Sequence, residues 1–186
     1  MVFLAWFVIP ANADFDAGMA AYVGQDYATA LREWTPLADH GDARAQFNLG
    51  VMYANGQGVP QNDKNDKEAL RWYRLAANQG HADAQATLGT LHVMGEVLPQ
   101  DYREALRWYR LAAEQRHAGA QYNLGIMYAK GYGVLQDYVQ AYMWWSLAAI
   151  KGDEMASNAR NKLAEKMSRS QIAEAQRLAR EWKPKQ

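Results

Sequence analysis

Apolar and small residues recur along most of this chain at intervals of three and four, the spacing of one helix face. Ala69, Tyr73, Ala76, Ala77 and Gly80 fall on one side of a first predicted helix. Ala82, Gln85, Leu88, Gly89 and His92 do the same in a second, directly after it. The pair then repeats. Ala69, Ala105 and Ala141 are each 36 residues apart, and the aromatic that follows recurs as Tyr73, Tyr109 and Trp145. Trp34 holds the same place in an earlier copy that begins at Ala30. In the second helix of each copy, Ala45-Gln46 precedes Leu49-Gly50, Ala84-Gln85 precedes Leu88-Gly89, and Ala120-Gln121 precedes Leu124-Gly125. Periods of this size are the mark of stacked supersecondary units.

Small residues on both faces allow close helix approach, and the large aromatics fill the remaining space. Gly41, Gly80 and Gly152 stand where first helices end and suit a left-handed C-cap. Gly56-Gln57-Gly58-Val59 and Gly131-Tyr132-Gly133-Val134 turn the chain into the next copy. A lone helix pair cannot bury both of its faces, so each copy must stack on its neighbours. Tyr109 is thus expected in the core. The expected fold is all-α: a right-handed α/α solenoid of about four helix-turn-helix repeats closed by a C-terminal helix.

The ends depart from the pattern. Asp14 to Val23 reads as a lone helix before the first copy. Ser168-x-x-Gln171 has the form of a capping box and opens a last helix through Trp182, with Ile172, Ala175, Ala179 and Trp182 on one face. Pro184 lies just beyond it. Within the array, Asn62 to Lys67 doubles the tripeptide Asn-Asp-Lys. Leu49 to Leu88 therefore spans 39 residues, whereas Leu88 to Leu124 spans 36. This junction is expected to be the softest of the array. Val97 replaces a turn glycine, and Arg116 replaces a C-cap glycine.

The string A-x-x-W-Y-x-x-A-A-x-x-G, followed by A-x-A-Q-x-x-L-G-x-M-Y-x-x-G-x-G-V, resembles the Sel-1-like repeat family, α/α solenoids related to tetratricopeptide repeats. The resemblance covers about Asp26 to Gly152. It implies a protein-interaction scaffold, often exported in bacteria and tied to envelope functions or signalling, with no shared catalytic residues. One branch with β-lactam-related activity is cysteine-rich. This chain has no cysteine.

Composition narrows the picture further. Hydrophobic residues make up 49% and aromatics 12%, enough for a sizeable core. Lys+Arg and Asp+Glu both number 20, so no positive excess points to nucleic acid. The absence of cysteine removes disulfides, thiol nucleophiles and thiolate zinc sites. Residues 1–13, MVFLAWFVIPANA, read as a secretory signal: an apolar run from Val2 to Ile9, a break at Pro10, and the small-x-small pattern Ala11-Asn12-Ala13. Cleavage is expected before Asp14. No Lys or Arg precedes the run, which a truncated or misplaced start would explain. A buried N-terminal strand or helix is the competing reading. The run is well short of the roughly 20 residues that span a bilayer. The array is assigned to 14–167, and the closing helix and tail to 168–186.

Little in the chain carries catalytic chemistry. His81 and His117 share one repeat position, His92 replaces the tyrosine of Tyr53 and Tyr128, and His40 lies near a helix end. None forms a close ligand pair. The glycine turns lead into no Gly-Lys-Ser/Thr, and no G-x-S-x-G elbow occurs. Glu68 and Glu104 read as first-turn carboxylates favoured by the helix dipole. No catalytic residue, cofactor or metal is expected.

The unpacked side of the first helices is the stronger candidate. Arg71, Arg74, Leu75 and Asn78 lie across the helix from the core positions, and the next copy repeats them as Arg107, Arg110, Leu111 and Glu114. Met143, Ser146 and Leu147 follow in the fourth, and Arg32 stands in the first. Trp72, Trp108 and Trp144 run beside them at the flank. Arginine forks suit carboxylates, and Trp and Leu supply apolar anchors. The leading expectation is an exported, non-enzymatic adaptor whose concave face holds an acidic-hydrophobic segment of a bacterial envelope protein: a regulator, a transport component or a cell-wall enzyme. The same tryptophans would suit sugar stacking, so a binder of cell-wall or exopolysaccharide is the alternative, and a hydrolase the remote one. The competing reading of the ladder is plain core and solvated surface.

Overall fold

The computed structural model describes residues 13–59 and 66–184. All but the last residue of the leader, and most of the doubled tripeptide, lie outside them. Among the described residues are ten α-helices and no strand: α1 (Phe15–Val23), α2 (Tyr27–Asp39), α3 (Ala43–Asn55), α4 (Asp66–Asn78), α5 (Ala82–Met94), α6 (Tyr102–Glu114), α7 (Ala118–Lys130), α8 (Tyr138–Ile150), α9 (Glu154–Ala164) and α10 (Arg169–Glu181). None is long and apolar enough to cross a membrane. Helices α2 to α8 and α10 all have 13 residues. A helix of that length, about 20 Å, is marginal by itself, so packing must supply its stability.

Short polar side chains set where the helices begin. Asp26, Asp101 and Asp137 cap the first helices α2, α6 and α8, each carboxylate accepting backbone N–H groups of the opening turn. Asp42, His117 and Asp153 do the same for the second helices α3, α7 and α9. Ser168 and Gln171 form the reciprocal capping box expected before α10. Helix ends use the left-handed region. Gly41, Gly80 and Gly152 have φ of 95°, 90° and 85°. Arg116 takes the same role at φ 66°, a conformation that costs a residue bearing a Cβ on the order of 1 kcal/mol.

The chain divides into two compact units, one running through His81 and the other from Ala82. In the first, α1 packs on α2, α2 on α3 and α3 on α4. Its core gathers Ala30, Trp34, Ala38, Ala45, Leu49, Met52 and Trp72. In the second, α5 packs on α6, α6 on α7 and α7 on α8, while α9 and α10 both pack on α8. Ala105, Tyr109, Ala112, Leu124, Ala141, Trp145 and Ala148 anchor this core.

One contact recurs in both units. A glycine of the preceding helix lets a large aromatic lie against its backbone. A Cβ on Gly50 would stand 2.6 Å from the Tyr73 ring, and one on Gly89 2.7 Å from Tyr109. Gly125 seats Trp145 and Gly18 seats Trp34, each with 2.3 Å from a built Cβ to the indole nitrogen. Both indoles are also satisfied. Trp34 Nε1 donates to the Phe15 carbonyl at 3.1 Å, and Trp145 Nε1 to that of Tyr122 at 3.0 Å. Helix α1 therefore does the work of a second helix.

Candidate functional site

The two copies of Trp-Tyr-Arg build the same local arrangement in each unit. On α4, the Arg71 guanidinium lies 3.8 Å from the centre of the Trp72 ring, and its Nε donates to Glu68 at 3.0 Å. On α6, Arg107 lies 4.1 Å from the Trp108 ring centre and donates through Nη2 to Glu104 at 2.9 Å. Each arginine is thus held flat by a ring on one side and a first-turn carboxylate on the other. A residue in the first turn and one three positions later share a helix face, which is why the spacing from Glu68 to Arg71 does this. Pairs this exposed contribute little stability, so their main effect is orientation.

Arg74 and Arg110 sit one turn further on, and both are exposed. Arg110 donates to the Tyr128 hydroxyl and lies 5.8 Å from the centre of that ring. Leu75 and Leu111 follow them at equal positions and keep 38% and 37% of their surface in solvent. These arginines and leucines are therefore exposed at matching repeat positions.

The tryptophans do not line the face openly. Trp72, Trp108 and Trp144 retain only 4%, 7% and 8% exposure. Trp72 belongs to the core of the first unit. Trp144 meets Trp182 edge-on at 6.0 Å beneath α10. Met143 and Leu147, expected to continue the open face into α8, are buried as well, because α10 packs on α8 and covers that side. The exposed face thus consists of arginine and leucine, and ring faces for sugar stacking are not available on it.

His81 and His117 have structural partners, whereas the buried Nδ1 of His92 has no hydrogen-bond partner. The His81 ring stacks on Phe47 at 4.8 Å. His117 caps α7: its Nδ1 accepts the Ala120 N–H at 3.0 Å. The proton must therefore sit on Nε2, which faces Asp83 Oδ1 at 3.1 Å. Among the described residues, no three His, Cys, Asp or Glu side chains come together in a way that would hold a metal ion. Burial pushes the Tyr73 phenol up to about 12, and burial also raises that of Tyr109. Both are packing residues that stay protonated.

A second feature escaped the sequence reading. The buried glutamine of the Ala-Gln pair forms a polar step between successive helices. Gln46 Nε2 donates to the Ala38 carbonyl at 2.9 Å, and its Oε1 accepts from Gln79 Nε2 at 2.7 Å. In the second unit Gln85 Oε1 accepts from Gln115 Nε2 at 2.9 Å. Gln79 and Gln115 are 36 residues apart, so the signal was present as a matched pair of polar residues just before the C-cap.

Paired helices of equal length, glycine-seated aromatics and a recurring buried glutamine define an α-helical repeat protein of the solenoid class. The Sel1 repeat model matches residues 43–81, 82–117 and 118–153, more than half of the chain, and the protein belongs to the Sel1 repeat family. Among solved structures it is similar to a Sel1 repeat protein from Oxalobacter formigenes, with 41% identity and a TM-score of 0.67, over 72% of this chain and 98% of that one. It is also similar to c5321, a protective antigen of uropathogenic Escherichia coli strains displaying an SLR fold, with 28% identity and a TM-score of 0.63. That match covers 89% of this chain and 44% of the antigen, so this chain spans less than half of that relative. No curated protein matches the chain.

Proposed function

We propose that this protein is an exported, non-enzymatic scaffold that captures a protein of the bacterial envelope through the arginine–leucine faces of its first helices. One observation carries the reading. Two exposed leucines, Leu75 and Leu111, stand at equal repeat positions beside arginines held in place by Trp72, Trp108, Glu68 and Glu104. Preset arginines reduce the ordering cost of binding, and the leucines add apolar contact. The chemistry they fit is an acidic segment with interspersed apolar side chains. Burial of the tryptophans weighs against the polysaccharide alternative.

The test is cross-linked capture from envelope extract with residues 14–186, beside an Arg74→Glu/Arg110→Glu form whose melting curve confirms that it folds. A partner held by the wild type and lost on charge reversal supports the proposal. Equal capture by both forms overturns the arginine faces. Export rests on the leader pattern in residues 1–13 and is tested separately. The full chain, expressed in a bacterial host, is expected in the periplasm with a mass beginning at Asp14. An intact chain confined to the cytoplasm refutes export.

A further inference from the structure

The last two helices break the packing order that the others follow. In the second unit, the second helices α5 and α7 each receive the next first helix, α6 and α8. Helix α9 receives none, and α10 packs on α8 instead. Met143 and Leu147 of α8 stand 36 residues after Arg107 and Leu111 of α6. Arg107 and Leu111 are exposed, whereas Met143 and Leu147 keep only 5% and 8% of their surface in solvent. The sequence changes with the cover, since Met143 and Ser146 replace both arginines of the α6 face. An apolar first-helix face with an amphipathic helix seated on it is therefore already present in the molecule.

The cover is held by little. Ala175 is the buried residue of α10, and Ile172, Leu178, Ala179 and Trp182 are half-buried. The ion pairs of Arg177 reach Glu174 and Glu181 of α10 itself, so they stiffen the helix without tying it to α8. A helix of 13 residues is marginal without packing. At its end the fit is incomplete. Trp182 and Leu147 line a cavity of about 210 Å³, and Ile150 at its edge is 79% exposed. Trp144, whose ring meets Trp182 edge-on, keeps its Nε1 buried with no hydrogen-bond partner. A cavity and an unsatisfied donor both weaken the closed state. Elements with few buried contacts open before the rest of a fold.

We propose that the α8 face is a second docking surface, closed by α10, and that it takes an amphipathic helix of a partner protein bearing the apolar stripe of Ile172, Ala175, Leu178 and Trp182. Spacings of three and four keep such a stripe on one side of a helix. Helix α10 is itself the pattern for that partner, and its departure uncovers Met143, Trp144 and Leu147. Because α10 competes for the same seat, the partner's affinity is reduced by the fraction of chains in which the seat is open. The surface is apolar and does not rest on the arginine–leucine faces, so their failure under charge reversal leaves it standing.

The experiment is a fluorescence-anisotropy titration of the purified chain with a labelled peptide of residues 168–186, which stands for the partner helix. Ala175→Glu in the chain places a carboxylate in the contact and ejects α10, while the α8 face keeps its residues. Adding Met143→Arg gives that face the arginine that α6 carries at the same position, so α8 should fold with it. The Ala175→Glu chain is expected to bind the peptide along a saturating curve, and the wild type at least about tenfold more weakly. The double variant should bind at least about tenfold more weakly than Ala175→Glu. No saturable binding to Ala175→Glu up to about 1 mM, equal binding by wild type and Ala175→Glu, or undiminished binding by the double variant would each overturn the proposal. Hydrogen exchange of the wild type decides the matter even where Ala175→Glu fails to fold. The α10 amides should exchange at least about tenfold faster than those of α6 and α7, and equal rates would overturn the proposal. A wild-type chain that sediments as a dimer, and as a monomer with Ala175→Glu, would make a second copy the occupant and would overturn it as well.

Discussion

The two compact units seat their aromatics alike, and both close a buried glutamine, but the second unit also holds one that is left open. In the first unit Gly18 receives Trp34, and in the second Gly125 receives Trp145, with the same 2.3 Å approach of a built Cβ to the indole nitrogen. The apolar contact tolerates no variation, because a ring lying on backbone has nowhere to move. The glutamine step does vary. Gln46 is closed by Gln79 in the first unit and Gln85 by Gln115 in the second, whereas Gln121, also in the second, has no hydrogen-bond partner for its Oε1. A missing buried hydrogen bond costs about 1–3 kcal/mol, and a blocked seat costs about as much or more.

The equality of the seats can be broken directly. Gly18→Ala and Gly125→Ala both insert a Cβ into an indole. Alanine gains about 1 kcal/mol over glycine in a helix interior. Overpacking costs about 1–3 kcal/mol, more where rigid atoms collide. At 2.3 Å the collision is with a ring whose nitrogen is tied to a carbonyl, so the clash wins. Each substitution should lower the melting temperature by several degrees, about 2 kcal/mol or more. A variant at either position that melts at or above the wild-type temperature would show that the seat is slack.

Much of this was readable before any coordinates. The Ala-x-x-x-Tyr and Leu-Gly spacing identifies the buried faces, because a close-packed repeat restricts both to small or large residues at fixed offsets. The Ser168 box and the α10 boundaries follow from capping chemistry alone. The tryptophans were harder. A single helix wheel puts Trp72 at the flank, but a stacked helix has several neighbours, and Trp72 is drawn into the first unit's core. Met143 and Leu147 were placed on the open face because no local signal tells where α10 lands. Gln79 and Gln115 recur 36 residues apart, but their partners lie more than 30 positions away, and the repeat spacing alone does not name them.

The difference is sharpened by closing the last step, at Gln121. Lys151 stands 36 residues after Gln115, and Lys151→Gln puts there the side chain that Gln79 and Gln115 use. Satisfying a buried acceptor recovers about 1–3 kcal/mol. Losing a lysine from a helix C-terminus forfeits about 0.3–1 kcal/mol of dipole interaction. The balance favours the variant by about 1 kcal/mol, read as a rise in melting temperature. An unchanged or lower value would mean that Gln121 Oε1 already has a partner in solution.

The smallest effect concerns acid, and it also separates the units. Asp42 in the first unit lies below the usual carboxylate range, chiefly through the Arg44 side chain at 2.9 Å and then through backbone N–H groups. Asp101 in the second is lowered chiefly by the Glu104 N–H at 3.1 Å and then by the Arg103 N–H. Both folded values are depressed. Their contribution is therefore present above the unfolded carboxylate value, about 3.9, and is lost as pH falls through the folded one. Asn keeps a capping acceptor but does not titrate. Asp42→Asn and Asp101→Asn should each narrow their gap to the wild type as pH drops below about 4. Salt should distinguish them. An exposed ion pair adds a screened contribution to a cap made by backbone N–H groups. Raising ionic strength at neutral pH should therefore shrink the Asp42→Asn deficit more than that of Asp101→Asn. Equal salt dependence at both caps would show that the Arg44 contact contributes nothing beyond the backbone cap it accompanies.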